Sequence, residues 1–255
     1  MTGILRTEGK GVVVWTIDHA AKRNALDVAL CQSLAEALAA APGAGTRAIV
    51  LTGAGDRAFS AGFDVDALVD GAAVQRAFTG LMDAVAASPA PIVCALNGPA
   101  YGGGLELAAA CDIRIAHPGV KLLMPPARLG IVYGERGLAR FSALVGESRA
   151  RRMFLAAETV DAETAARWGL VDEVVAADAL LPRARDRAAE IAALAPLAVQ
   201  GMRRAFEALL RRRAELAEAD RRLIEKLRAE AWSSEDAGEG RAALAARRPP
   251  VFKGR

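Results

Sequence analysis

The chain has 255 residues, 53% of them hydrophobic, and a formal net charge of +3. That length holds one large domain or a domain with a helical appendage, and the alanine-rich apolar share supports a sizeable, helix-rich core. The charge is too mild to argue for nucleic acid, and no uninterrupted apolar run is long enough to cross a membrane.

Met1 to Lys10 is polar and lacks an apolar signal region. Cys31, Cys94 and Cys111 are odd in number and each lies in an apolar stretch, so they read as buried reduced thiols of a cytoplasmic protein. His19 and His117 are the only histidines, and no Cys/His cluster has metal-ligand spacing. Neither a metal site nor a Ser-His-Asp arrangement is expected.

Val12 to Ile17 is rich in β-formers and predicts a strand, followed by a polar connection from Asp18 to Asn24. Leu26, Leu30, Leu34 and Leu38 recur every four residues, a helix with one apolar face ended by Pro42-Gly43. Ala48 to Leu51 shows no alternation and predicts a strand buried on both faces. Gly53 to Ser60 is a loop closed by Ala61-Gly62-Phe63-Asp64, and Asp66 to Ala87 is largely helical with a break near Gly71. Asp64 and Asp66 read first as caps for that helix.

Ile92 to Leu96 predicts another buried strand. It runs into Asn97-Gly98-Pro99-Ala100-Tyr101-Gly102-Gly103-Gly104-Leu105-Glu106, after which strong helix formers continue to Cys111. A glycine turn opening a helix leaves unpartnered backbone N–H groups at the positive end of the helix dipole, with no Cβ to keep a ligand away. Such a place favours a negatively charged oxygen, and Glu106 sits one turn into the helix beside it. Two plainer readings compete: Glu106 at the third helical position of a capping box with Gly103 as the cap, or a tight turn and no more. The absence of Gly-Lys-Ser/Thr argues against a nucleotide-binding loop.

Asp112 to Ala116 alternates as a strand does, and Lys121 to Met124 is a short strand candidate stopped by Pro125-Pro126. Gly130 to Gly134 is a loop. Helices are expected from Arg136 to Leu144 and Ser148 to Ala157, and from Asp161, where the first turn is acidic. Val171 to Val175 is the last strand candidate. From Ala179 the pattern is helical, with Pro196 starting a long helix or helix pair and Ser234 capping a last one. Arg203, Arg204, Arg211, Arg212, Arg213, Arg221 and Arg222 crowd these late helices and read first as a solvated face. The alternation of strands and helices to about Val175, then helices alone, predicts an α/β core with a C-terminal helical segment.

Five stretches now line up in order: Lys22-Arg23-Asn24-Ala25-Leu26-Asp27, Phe59-Ser60-Ala61-Gly62-Phe63-Asp64, Asn97 to Asp112, Ala165-Ala166-Arg167-Trp168-Gly169-Leu170-Val171, and Pro250-Val251-Phe252-Lys253-Gly254. Together they resemble the enoyl-CoA hydratase/isomerase (crotonase) family over nearly the whole chain. The resemblance implies a ββα spiral core over residues 1–195 that binds acyl-CoA, and a C-terminal α-helical trimerisation segment over residues 196–255. It implies an acyl-CoA thioester as substrate, with coenzyme A entering as part of the substrate and no separate cofactor. A homotrimer or dimer of trimers is implied, without membrane or nucleic-acid partners.

Carried over by position, the family's two oxyanion donors match the backbone N–H groups of Phe63 and Gly103, and the first catalytic glutamate matches Glu106. Lys22, Arg23, Ala61, Asp64 and Lys253 fall where the family meets coenzyme A. The second glutamate is missing: Pro125-Pro126-Ala127-Arg128-Leu129-Gly130 places Pro126 where the pattern has an acid. Leu129-Gly130-Ile131-Val132-Tyr133 and Ser234 to Gly240 are closest in pattern to methylmalonyl-CoA decarboxylase-type members, although those tend to carry histidine where Phe63 stands.

Decarboxylation needs no base to form the enolate, because departing CO2 forms it, and Tyr133 is then expected either to orient the substrate carboxylate or to be a loop tyrosine packed on the core. The expected function is thus stabilisation of a thioester enolate, with decarboxylation of a malonyl-type CoA ester placed first. A single-glutamate hydratase or isomerase is the alternative, and a non-catalytic acyl-CoA or RNA-binding oligomer the third reading.

Overall fold

The computed structural model describes residues 3–9, 11–64 and 71–255. The expected cap Asp66 and the helical start assigned to it lie outside these residues. Among them, six strands form one sheet in the order β1-β2-β3-β4-β6-β9: β1 (Gly3–Gly9), β2 (Val12–Asp18), β3 (Ala48–Gly53), β4 (Ile92–Leu96), β6 (Ile113–Ala116) and β9 (Glu173–Val174). β1 runs antiparallel to β2 and every other pairing is parallel. A small second sheet joins β5 (Ala100–Tyr101), β7 (Lys121–Leu123) and β8 (Thr159–Asp161) in the order β5-β7-β8.

The helices are α1 (Val28–Ala40), α2 (Gly71–Ala87), α3 (Gly103–Ala110), α4 (Glu135–Val145), α5 (Glu147–Leu155), α6 (Ala162–Trp168), α7 (Leu180–Ala192), α8 (Pro196–Ala214), α9 (Glu218–Ser233) and α10 (Glu235–Ala245). Most expected elements are present. β1 falls in the segment read only as polar, and the two-residue β5 and three-residue β8 are too short to show a period.

The chain forms two packed units. One comprises residues 1–122 and 160–208, the other residues 123–159 and 209–255. This differs from the boundary expected at 195/196, for reasons visible inside each unit. In the first, α8 is tied down by Arg203, which is 4% exposed. Its guanidinium donates to the carbonyls of Val85, Ala86 and Ser88 at the end of α2, and to Asp112 at 3.0 Å. Arg203 is therefore not part of a solvated face; the other six arginines of that group are exposed. In the second unit, Gly240 of α10 packs so closely on Leu129 that a Cβ there would lie 2.7 Å from the Leu129 carbonyl.

Within the first unit the sheet is buried on both faces, so β3 and β4 are apolar without alternation. One face carries Val14, Val50, Val93, Ala95 and Ile115 against Leu180, Ala184, Ala188 and Ala192 of α7. Leu30, Leu34 and Leu38 of α1 are buried as their spacing predicts, but Leu26 is not helical. Asp27 caps the start of the helix instead, accepting the Leu30 N–H at 2.8 Å, and Leu26 bridges to Phe63. The three cysteines are free and buried.

Candidate active site

Two chain segments meet where the site is expected. Residues 59–63 run alongside 99–101: Phe59 and Tyr101 donate to Pro99 and Ser60 carbonyls, each at 3.0 Å, and Ser60 bridges Ala100. On its other side the segment meets residues 23–26. Ala61 N–H donates to Arg23 at 3.0 Å, Leu26 N–H to Gly62 at 2.7 Å, and Asp64 N–H to Leu26 at 2.9 Å. Peptide groups along an extended chain alternate in direction. With its neighbours' groups engaged by Leu26, the Phe63 N–H turns away from Leu26, toward the side on which residues 99–103 lie. Gly62 has φ +88°, and a Cβ on it would lie 2.7 Å from the Tyr101 oxygen and 3.6 Å from the Gly103 nitrogen. The structure thus brings the chain at Gly62 and the Phe63 ring close to Gly103.

The glycine triplet is explained residue by residue. Gly102 is the N-cap of α3 with φ +50° and has no side chain to cap the helix. A Cβ on Gly103 would lie 3.1 Å from the Phe63 ring, and one on Gly104 would lie 2.5 Å from the Ser60 Cβ. The helix begins at Gly103, so Glu106 is the fourth helical residue, not the third, and its own N–H already bonds the Gly102 carbonyl at 2.9 Å. The capping-box reading does not fit that register. Among the described residues, no acceptor meets the N–H of Phe63 or of Gly103.

All eight residues of α3 are buried, as befits a helix of glycine, leucine and alanine. Glu106 is its only charged residue and is 8% exposed. Burying a carboxylate among apolar groups is costly unless it is compensated, and ionisable groups kept in such places cluster at functional sites. Phe63 packs edge-on against Phe78, with ring centroids 4.9 Å apart, and adds an apolar wall beside Gly103.

The residues expected to meet coenzyme A are more dispersed in role. Lys22 Nζ donates to Asp64 Oδ2 at 2.6 Å, next to Phe63 in the chain, so these two engage each other. Arg23 is exposed at φ +55° and contributes its carbonyl to Ala61. Lys253 lies in the second unit, where its N–H donates to Asp236 Oδ1 at 2.7 Å. Glu239 of the same unit binds Arg248 and the Val251 N–H, which hold its carboxyl down to about 2 and tie the last residues to α10.

Also in the second unit, Tyr133 packs edge-on against Phe154 at 5.2 Å. Pro126 is buried at the first position of a short 3-10 turn, Pro126–Leu129. A groove of about 400 Å³ opens between α1 and α2, lined by small side chains with Gln32 and Arg76. None of the expected site residues lines it.

In the sequence, Asn24 and Asn97 stand out only as members of motifs. Asn24 is fully buried at φ +55°, and both side chains hold the loop that precedes Phe59.

A family model described as enoyl-CoA hydratase/isomerase matches residues 7–255. The protein named probable enoyl-CoA hydratase echA6 of Mycobacterium tuberculosis is 37% identical over 256 residues, covering all of both chains. Carnitinyl-CoA dehydratase of Citrobacter koseri is 35% identical over 217 residues, 82% of each chain. Among solved structures, methylmalonyl-CoA decarboxylase in complex with 2-nitronate-propionyl-CoA superposes with a TM-score of 0.93 over 99% of each chain. At 24% identity that likeness is one of fold.

Proposed function

The chain belongs to the enoyl-CoA hydratase/isomerase family, and from that premise we propose that it adds water to, or removes it from, an acyl-CoA thioester with a single carboxylate. The observation that carries this reading is Glu106, buried one turn from the Gly103 amide. Two ionised carboxylates held side by side repel, whereas a neutral enoyl chain beside Glu106 meets no such penalty. The names of the relatives at 35–37% identity support the same order.

In this reading the Phe63 and Gly103 N–H groups hold the thioester oxygen. Glu106 takes a proton from water as the water oxygen bonds to Cβ. The π pair moves through Cα to the carbonyl, and the enolate oxygen is held by the two amides. The same carboxyl then returns its proton to Cα, and elimination is the reverse. Fixed donors of this kind are worth about 3 kcal/mol each. Coenzyme A enters as part of the substrate and no other cofactor is invoked.

A second reading, decarboxylation of a malonyl-type thioester, rests on Pro126, which has neither a titratable group nor an N–H where the family pattern carries an acid. We also retain a homotrimer or dimer of trimers. It is supported by Leu197, Met202 and Phe206 on α8, apolar side chains that are 84%, 57% and 71% exposed.

The test is a panel of crotonyl-CoA, 3-hydroxybutyryl-CoA and methylmalonyl-CoA, followed by mass spectrometry. Water addition that falls by roughly two to four orders of magnitude in Glu106→Gln supports the first reading. CO2 release that survives Glu106→Gln and falls in Tyr133→Phe supports the second. Binding without turnover of any ester removes both and leaves an acyl-CoA-binding protein.

A further inference from the structure

The two donor segments do not simply touch; both are fastened to the same short loop. Asn24 Nδ2 donates to the carbonyls of Ala54 at 3.0 Å and Ala58 at 2.8 Å, and its Oδ1 accepts the His19 N–H at 3.1 Å. Asn97 Oδ1 accepts the Gly53 N–H at 2.9 Å, and its Nδ2 donates to the Gly55 carbonyl at 2.7 Å. Asn24 thus grips the loop 53–58 both near its start, at Ala54, and at the end that leads into Phe59–Phe63, at Ala58. Asn97 grips it at the start and itself leads into Pro99–Gly103.

The loop has little room to shift. A Cβ on Gly53 would lie 2.7 Å from Asn24 Nδ2 and 2.6 Å from the Phe59 oxygen, and one on Gly98 would lie 2.8 Å from the Ala58 Cα. Each asparagine uses both ends of its amide, as donor and as acceptor, so neither aspartate nor alanine reproduces the set.

We propose that Asn24 and Asn97 are positioning residues that fix the separation of the Phe63 and Gly103 amides, with the loop 53–58 as a common splint. The proposal rests on the reading of those amides as the thioester-oxygen site. An oxyanion site works only when its donors are held at the right place before the charge develops, and a shift of about 1 Å is enough to cost much of the effect. Loss of either asparagine leaves the loop's polar backbone groups without their partner and releases one donor segment relative to the other. Neither side chain touches the thioester itself.

The experiment uses a 4-dimethylaminocinnamoyl-CoA, whose absorption moves to longer wavelength when its carbonyl is polarised, so no turnover is required. The unaltered protein, Asn24→Ala, Asn97→Ala and the core control Leu38→Ala are titrated with it, and the stability of each is measured in urea. The expected result is a red shift with the unaltered protein and with Leu38→Ala, and loss of most of that shift in both asparagine variants although the thioester still binds. Asn97 is only half-buried, so Asn97→Ala keeps the test alive should Asn24→Ala fail to fold. A full red shift in Asn97→Ala overturns the splint and leaves the amide site standing. Absence of a red shift in the unaltered protein overturns the amide site itself.

Discussion

Gly62 and Gly103 lie so close that a methyl group on the first would sit 3.6 Å from the nitrogen of the second. The Phe63 N–H belongs to the peptide that follows Gly62, so this approach of two glycines bears on how near the Phe63 and Gly103 amides stand. It depends on the positive φ of Gly62, a conformation that ordinary side chains resist.

Gly62→Ala should therefore damage both stability and function. The new Cβ faces the Tyr101 oxygen at 2.7 Å and the backbone is held at φ +88°, a combination expected to cost about 1–3 kcal/mol. Because the strain falls on the donor itself, turnover should drop by roughly a hundredfold even in the folded fraction. Urea unfolding and steady-state kinetics on one preparation measure the two effects. Unchanged kinetics would contradict the placing of the Phe63 amide.

The buried Arg203 gives a prediction about stability alone. Its guanidinium satisfies three carbonyls at the end of α2 and pairs with Asp112, whose Oδ2 also accepts the Ile92 N–H at 2.7 Å. Removing one member of such a set strands the others, at about 3–5 kcal/mol. Arg203→Ala should lose that much in denaturant unfolding, while the adjacent and exposed Arg204→Ala should stay within about 0.5 kcal/mol. Equal effects would mean that the buried network carries no weight.

The thiols predict how stability responds to alkali. Burial, with the negative charge of Asp27 at the cap of α1, pushes the Cys31 thiol from its ordinary 9.0 up to about 12. Burial also raises Cys94. Above pH 9 the unfolded chain loses these protons while the folded chain keeps them, so the native state holds more protons and stability falls as pH rises. Urea midpoints should decline from about pH 9 upward, less steeply in Cys31→Ala, and thiol reagents at neutral pH should find Cys31 only after unfolding.

Much of the fold was legible because its elements announce themselves locally. The Leu30-Leu34-Leu38 spacing, the unbroken apolar runs of β3 and β4, and the cap residues Asp161 and Ser234 each act within one turn or one strand. β5 and β8 were not legible, because strands of two or three residues owe their form to their neighbours. Leu26 looked helical for a related reason: its spacing continues that of α1, yet its backbone is taken by Gly62 and Asp64. Arg203 shows the limit most clearly, since nothing in an arginine-rich stretch tells which side chain will turn inward to meet the end of another helix.

The sequence by itself determined the family resemblance, the glycine turn and the carboxylate one turn beyond it, because those are matters of residue type and spacing along one stretch of chain. Only the tertiary structure decided the rest. It set the helix to begin at Gly103 rather than after it, brought Gly62 and the Phe63 ring against that beginning, and buried Glu106. Lys22 was drawn to Asp64, and Asn24 and Asn97 to one loop. Each of these is a meeting of groups far apart in the chain, and such meetings are fixed by packing, which no local pattern of residues encodes.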